Sequence, residues 1–348
     1  MYLVDINVKG IQWIEWYKSV KNDTAYPYPV CMSIDITDTC NLRCYWCNSK
    51  RANNVLTLDY IKKLIDIAVK MNVKSVCLGG GGEPTTNPDF AKIVNYITSK
   101  GIEVGIVSNG VLMTKEIVDQ IISNPLVRFL SLSLDSATCD TWIKLKGLSE
   151  FQYAQLLSNI NYIAGKAKNE RVDFTAKFLV VPENQNEIYD FVVLAKRLGF
   201  KTAFIRPAEL DDAKNPIQNR KVYNVAVIEE QLKKAKQLET STFQVIANFG
   251  RQYANEKYSP IIAKRCYATP ILIMCLANKD AYICLCHKWE KKFRLCKSLD
   301  LLKYWNSPKH RRMVKSINPC TDCKRCSFGI YNQIAETYLE DTLMRNFP

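Results

Sequence analysis

Three thiols within eight residues, Cys40, Cys44 and Cys47, constrain this chain more than any other feature of it. Thiolates separated by three and then two residues can reach one metal centre together, yet a closed zinc site or a cubane cluster takes four ligands. The loop therefore supplies one ligand fewer than a closed site needs. Zinc would require another Cys or His close by, and the only histidines, His287 and His310, lie far along the chain. An iron–sulfur cubane can instead leave one iron open to a substrate or cosubstrate. Against a zinc knuckle or three unrelated core cysteines, the spacing favours iron–sulfur.

Alternating strand and helix patterns follow this loop. Residues 30–36 alternate and β-branch like a strand, which delivers the cysteines at its C-terminal end. Thr57 caps a helix with Ile61, Leu64, Ile65 and Ala68 on one face. A strand over 73–78 runs into Gly79-Gly80-Gly81-Gly82-Glu83-Pro84, where consecutive glycines let backbone approach a ligand without obstruction. A helix capped at Asn87-Pro88 leads to a strand over 102–107 that ends in Ser108-Asn109-Gly110. Thr114 caps the next helix, and a strand over 127–134 ends in Ser133-Leu134-Asp135-Ser136. Side chains two apart on a strand share a face, so Ser133 and Asp135 can both present oxygens to a ribose diol. A helix over 149–166, a half-polar strand over 172–180, a helix over 186–198 and a strand over 201–206 complete six alternations. Right-handed crossovers over six units suit a barrel, and the Gly-x-Gly-x-x-Gly that a dinucleotide fold wants after its first strand is replaced by the cysteine loop.

The triple-cysteine motif, with Trp46 before its last cysteine, resembles the signature of the radical S-adenosylmethionine (SAM) enzymes. The resemblance implies an α/β fold, a partial (β/α)6 TIM-type barrel, in which a 4Fe–4S cluster on Cys40, Cys44 and Cys47 binds SAM through its open iron. One electron then breaks a carbon–sulfur bond of SAM to give a 5′-deoxyadenosyl radical, which abstracts hydrogen from a substrate. It also assigns cofactor contacts: Trp46 near the adenine; Gly81, Gly82 and Glu83, in the Gly-Gly-Glu-Pro motif, to the SAM ammonium; Ser108 and Asn109 beside SAM; Ser133 and Asp135 to the ribose. Arg206, at the end of the sixth strand, is a candidate partner of the SAM carboxylate. Lys177, Glu209 and Cys139 are candidate catalytic residues.

From about residue 210 the rhythm changes. A polar link over 211–219 and an amphipathic helix over 227–237 precede a cysteine-dense tail. Cys320, Cys323 and Cys326 have chelating spacing, and Cys266 and Cys284 flank an expected hairpin over 271–274 and 281–284; four thiolates close a second cluster. Cys286 and Cys326 compete for ligand roles, and a zinc site of Cys320, Cys323, Cys326 and His287 is the alternative. The tail resembles a twitch or SPASM-type auxiliary-cluster domain, short of the later ligands of a full SPASM domain, which implies one auxiliary 4Fe–4S cluster. The expected domains are an N-terminal extension (1–29), a radical SAM core (30–210), a linker and helix (211–260) and a small C-terminal α+β auxiliary-cluster domain (261–348).

Composition bounds the function. The chain of 348 residues can bury a full core, shows no repeat, and has neither an apolar run long enough to cross a membrane nor a signal-peptide pattern, so a cytoplasmic protein is expected. Fourteen cysteines then read as metal ligands and free thiols, not disulfides. The formal charge of +14 is not concentrated in a basic run or arginine-rich arm, so nucleic acid is not the expected partner. An acidic flavodoxin or ferredoxin, as electron donor to a monomer, suits it as well. The sequence favours a radical SAM oxidoreductase acting on a small polar molecule, such as a sugar, cyclitol or nucleotide, with the auxiliary cluster assisting oxidation. The alternatives are a redox-neutral epimerase or lyase, and a peptide maturase, against which the first thirty residues count as too few for a peptide-recognition domain.

Overall fold

The structure, a computed structural model, describes residues 10–44, 46–47, 49–168, 170–208, 223–247, 263–323 and 326–339. The chain divides into two compact units, one of Met1–Ser33, Lys63–Ser75 and Tyr258–Pro348, the other of Ile34–Lys62 and Val76–Lys257. Strand β1 (Cys31–Ile34), helix α2 (Leu58–Lys70) and strand β2 (Ser75–Leu78) each pass from one unit to the other.

The second unit is a parallel α/β arrangement, as the sequence predicts. Strands β3 (Glu103–Ser108), β4 (Val127–Ser133), β5 (Asp173–Val180), β6 (Thr202–Pro207) and β7 (Gln244–Ala247) pair in chain order, each parallel to the last. Helix α3 (Phe90–Ser99) precedes β3, and the helices between the strands are α4 (Lys115–Ile121), α5 (Cys139–Lys146), α6 (Glu150–Ala167), α7 (Ile188–Arg197) and α8 (Val225–Lys236). Several bury a stripe at helical spacing, for example Phe90, Ile93, Val94 and Ile97 on α3 and Leu156, Ile160 and Ile163 on α6. Phe178 on β5 packs on Phe191 of α7 with ring centroids 4.6 Å apart. Because all these strands run one way, the loops leaving their C-terminal ends gather at one edge, where a parallel sheet places its ligands.

Two elements go beyond the sequence expectation. Helix α5 is short and buries only Trp142, Leu145 and Lys146, one of them charged, so no apolar stripe announces it. Strand β7 extends the parallel run by one, but its four residues include two exposed ones and give no alternating pattern long enough to read.

In the first unit β8 (Leu272–Cys275), β9 (Asp280–Tyr282) and β10 (Arg294–Lys297) form an antiparallel meander that includes the expected hairpin. Short helices α9 (Leu301–Tyr304), α10 (Pro308–Lys315) and α11 (Pro319–Asp322) and the longer α12 (Gly329–Leu339) follow. Helix α1 (Ile14–Lys21) and the segment after it are clamped against these C-terminal elements. The Tyr26 backbone exchanges two hydrogen bonds with the Asn306 side chain, at 2.7 and 2.8 Å, and the Trp305 indole donates to the Pro27 carbonyl at 3.2 Å. Arg265 donates to the Val20 and Lys21 carbonyls, and Asp23 pairs with both Arg311 and Lys315. The aromatic residues and paired prolines near the N-terminus are thus core and joints of the cysteine-rich unit.

Candidate active site

The cysteine loop is fixed by backbone contacts on both sides. The Arg43 amide donates to the Lys146 carbonyl at 3.0 Å and the Leu42 amide to the Cys40 sulfur at 3.4 Å. From the turn after β2, Gly82 N–H donates to the Thr37 carbonyl at 2.9 Å and Glu83 N–H to the Thr39 carbonyl at 2.8 Å. A Cβ at Gly82 would lie 2.0 Å from that Thr39 oxygen, so only glycine lets the two loops close. Cys40, Cys44 and Cys47 line one side of a cavity of about 240 Å³.

Burial pushes the Cys40 thiol up and the Cys44 thiol up to about 11. At Cys47 burial acts the same way but is outweighed by the Ser49 amide and the Arg51 guanidinium, so its pKa falls below the ordinary thiol value.

Gly81, Gly82, Glu83, Ser108 and Asn109 line the same cavity. Glu83 is buried, and its carboxylate is held from several directions: by the Thr85 hydroxyl at 2.6 Å, the Ser108 hydroxyl at 2.7 Å and the Asn109 amide at 2.7 Å. Burial nevertheless raises its pKa above the usual carboxylate range. The Asn109 side chain donates to Asn41 Oδ1 at 2.8 Å, which ties the end of β3 to the cysteine loop.

Ser133, Asp135, Arg206 and Trp46 complete the lining expected from the sequence. Asp135, however, is more than a surface acceptor. It takes a left-handed conformation, φ 60°, just past β4; its Oδ1 accepts the Leu179 amide at 2.7 Å and its Oδ2 is paired with Lys146. Both members of the pair are buried, at 1 and 2 % exposure. The Lys146 ammonium also donates to the Ser133 carbonyl at 3.2 Å and stands 5.2 Å from the centre of the Trp46 ring. Trp46 packs with Leu145, Val181 and Ala208. Lys146 and Arg51 line the cavity and were not singled out by the sequence. A lysine in the last turn of a helix, followed by a left-handed Gly147, reads as an ordinary helix end.

Two candidates do not join the cavity. Lys177 faces Ser133 across the β4–β5 pairing and contributes its backbone carbonyl to the Leu134 and Asp135 amides, and Cys139 is the first residue of α5; neither is among the described residues lining the site. Glu209 lies outside the described residues.

In the other unit, Cys266, Cys284, Cys286, Cys323 and Cys326 line a second cavity, together with His287. The Thr269 hydroxyl donates to the Cys266 sulfur at 3.5 Å, the Ser327 amide to Cys286 at 3.4 Å and the Asn332 amide group to Cys326 at 3.9 Å. Burial pushes Cys323 up to about 12, and the contact with Cys286 together with burial raises Cys284. Cys320 is exposed and is not among the lining residues; its sulfur faces the Ala263 carbonyl at 3.7 Å. Among the described residues no three His, Cys, Asp or Glu side chains stand close enough to hold a single metal ion.

Residues 34–205, the segment that carries the first cavity's motifs, match the radical SAM superfamily. The chain carries a radical SAM domain. That family implies a 4Fe–4S cluster and SAM, and the first cavity fits them: three thiols, one short of a closed cubane, beside backbone stripped of side chains. The chain is similar to the mycofactocin maturase MftC of Mycobacterium ulcerans (strain Agy99), 33 % identical over 175 residues, which are 49 % of this chain and 45 % of that protein. It is also similar to the AdoMet-dependent heme synthase of Methanosarcina barkeri (strain Fusaro / DSM 804), 31 % identical over 175 residues, 49 % of this chain and 48 % of that one. The chain spans about half the length of the curated relatives it matches. Beyond the radical SAM domain the fold resembles Streptococcus suis SuiB bound to its precursor peptide SuiA, with a TM-score of 0.65 over 93 % of this chain and 74 % of that one at 16 % identity. Among the described residues no helix is long and apolar enough to cross a membrane.

Proposed function

We propose that this chain is a radical SAM enzyme that modifies a peptide. The observation that carries the catalytic half is the gathering of Cys40, Cys44 and Cys47 on one cavity with the Gly81–Gly82 backbone and the polar ends of three parallel strands. When bound, the cluster and SAM supply an electron and then a 5′-deoxyadenosyl radical able to take hydrogen from an unactivated position. The chain's own residues position these partners. Glu83 locks the glycine turn to the end of β3 and offers a carboxylate edge to a cation; Ser108, Asn109 and Ser133 offer hydrogen bonds; Arg206 and Arg51 offer fixed positive charge to a carboxylate. Lys146 neutralises Asp135 and braces the Trp46 ring. The second cavity, with its five thiols, is suited to an auxiliary 4Fe–4S cluster that accepts or relays the second electron of an oxidation. A flavodoxin or ferredoxin is the donor in keeping with the basic chain.

The peptide half rests on the maturase relative and replaces the small polar substrate favoured by the sequence. The fold shared with a peptide-bound protein is compatible with it. A small-molecule substrate is the second reading, favoured by the heme synthase relative at almost the same identity. Anaerobic incubation with reductant, SAM and separate pools of candidate peptides and metabolites distinguishes them. A mass change in a peptide that tracks 5′-deoxyadenosine supports the first reading, and product only in the metabolite pool supports the second. Absence of 5′-deoxyadenosine from reconstituted protein refutes both.

A further inference from the structure

His287, which the sequence offers only to an alternative zinc site with Cys320, Cys323 and Cys326, stands beside the second cavity's thiols. It follows Cys286 directly and lines the same space as Cys266, Cys284 and Cys323. The residue is 6 % exposed, and its Nε2 is buried without a hydrogen-bond partner among the described residues. Its other nitrogen, Nδ1, lies 2.8 Å from the Glu290 carboxylate, and the ring is stacked on Phe293 with centroids 4.1 Å apart and planes 11° apart. A carboxylate at Nδ1 holds the proton there and leaves a lone pair on Nε2, the arrangement that orients a metal-binding imidazole. A buried lone pair with nothing to accept is otherwise a cost to the fold.

We propose that His287 is a ligand of the metal centre in this cavity, its Nε2 bound to an iron beside cysteine thiolates, with Glu290 fixing the tautomer. This rests on the reading that the cavity holds an iron–sulfur cluster. In such a cluster each ligand binds its own iron, so donors spread round a cavity suit it better than they suit a single ion. One neutral imidazole in place of a thiolate makes the centre easier to reduce, since less negative charge opposes the incoming electron.

The test uses the full chain with Cys40, Cys44 and Cys47 all replaced by Ala, loaded anaerobically with iron and sulfide so that only the second centre remains. The chain has 2 histidines, and the other, His310, is packed between Tyr26 and Trp305, so histidine labelled with ¹⁵N is nearly a single-site probe. The hyperfine spectrum of the reduced centre is expected to show a directly bound histidine nitrogen that changes isotope pattern on labelling. It is lost in His287→Gln and kept in His310→Gln. Glu290→Gln is expected to lower iron affinity by about 10–100-fold. Iron with no histidine coupling overturns the assignment of His287 while leaving the auxiliary centre standing. No iron at all overturns the auxiliary centre and this proposal together. Because labelling reads the histidine itself, the decision does not depend on the His287→Gln chain folding.

Discussion

Replacing Lys146 by Met keeps most of the side chain's stem against Trp46 but removes the ammonium that neutralises Asp135. Both groups are almost fully buried, so the substitution strands a carboxylate away from water. Breaking one member of a buried pair typically costs about 3–5 kcal/mol. The Leu179 amide still donates to Asp135 at 2.7 Å, which places the expected loss near the lower end, about 3 kcal/mol. Asp135→Asn in the same chain removes the stranded charge and keeps an acceptor for that amide, so the double variant should regain at least half of the loss. Urea unfolding of the anaerobic, cluster-free protein measures both. The pH dependence supplies an independent arm. Burial pulls the Lys146 pKa down, but the Asp135 carboxylate and the Cys44 side chain outweigh it, leaving the pKa above its ordinary value of 10.5. A raised lysine pKa means that the ammonium's contribution is complete below the unfolded value and fades as pH climbs through the folded one. The gap between the native chain and Lys146→Met should therefore hold steady from pH 7 to 10 and narrow above. A loss under about 1 kcal/mol, or a double variant no more stable than Lys146→Met, would refute the reasoning.

Four further outcomes are expected. Cys40→Ala, Cys44→Ala or Cys47→Ala should abolish 5′-deoxyadenosine formation while about one cubane's worth of iron stays with the chain, as counted by iron and sulfide analysis. Gly82→Ala should fail to assemble the first cluster, since the added methyl group meets the Thr39 carbonyl at 2.0 Å; the brown absorbance of the first site reads this directly. Cys320→Ser should leave the iron of the second centre unchanged, and Cys323→Ser should lower it, because only the latter lines the cavity. Burial lowers the His310 pKa from 6.5 to about 4. The unfolded chain thus takes up a proton first, and stability should fall by up to about 3 kcal/mol as pH drops from 6.5 to 4, a slope that His310→Gln should remove in acid-unfolding curves.

What the sequence disclosed and what it withheld divide along a physical line. The cysteine triplet, the glycine turn and the ends of β3 and β4 were legible because each is a local spacing: a few consecutive residues hold the chemistry, and the strand pattern sets the end of the sheet where they emerge. Lys146 was not, because its role depends on a helix folding back so that its ammonium meets a carboxylate eleven positions earlier. The same holds for the second cavity. Cys320-x2-Cys323-x2-Cys326 offers two overlapping chelating pairs, and nothing in the spacing says which survives; the turn of α11 exposes Cys320, while Cys286 arrives from the far side of the meander. Ser133 and Asp135 both line the cavity, but a strand pattern could not disclose that Asp135 leaves β4 in a left-handed conformation and is held by an ion pair.

The joint between Tyr26 and Asn306 joins residues 280 positions apart. During synthesis at about 5–20 residues per second, roughly 15–55 s pass between the appearance of the first partner and that of the second. Until its end Tyr26 lacks its Asn306 partner and Tyr17 lacks Tyr267, whereas the parallel strands, all within residues 103–247, are completed well before then. The ribosome thus releases the parallel-strand part of the chain while the cysteine-rich unit is still incomplete. A cell making this protein must shield a waiting aromatic segment at one end and a set of reduced thiols at the other until the last helix emerges.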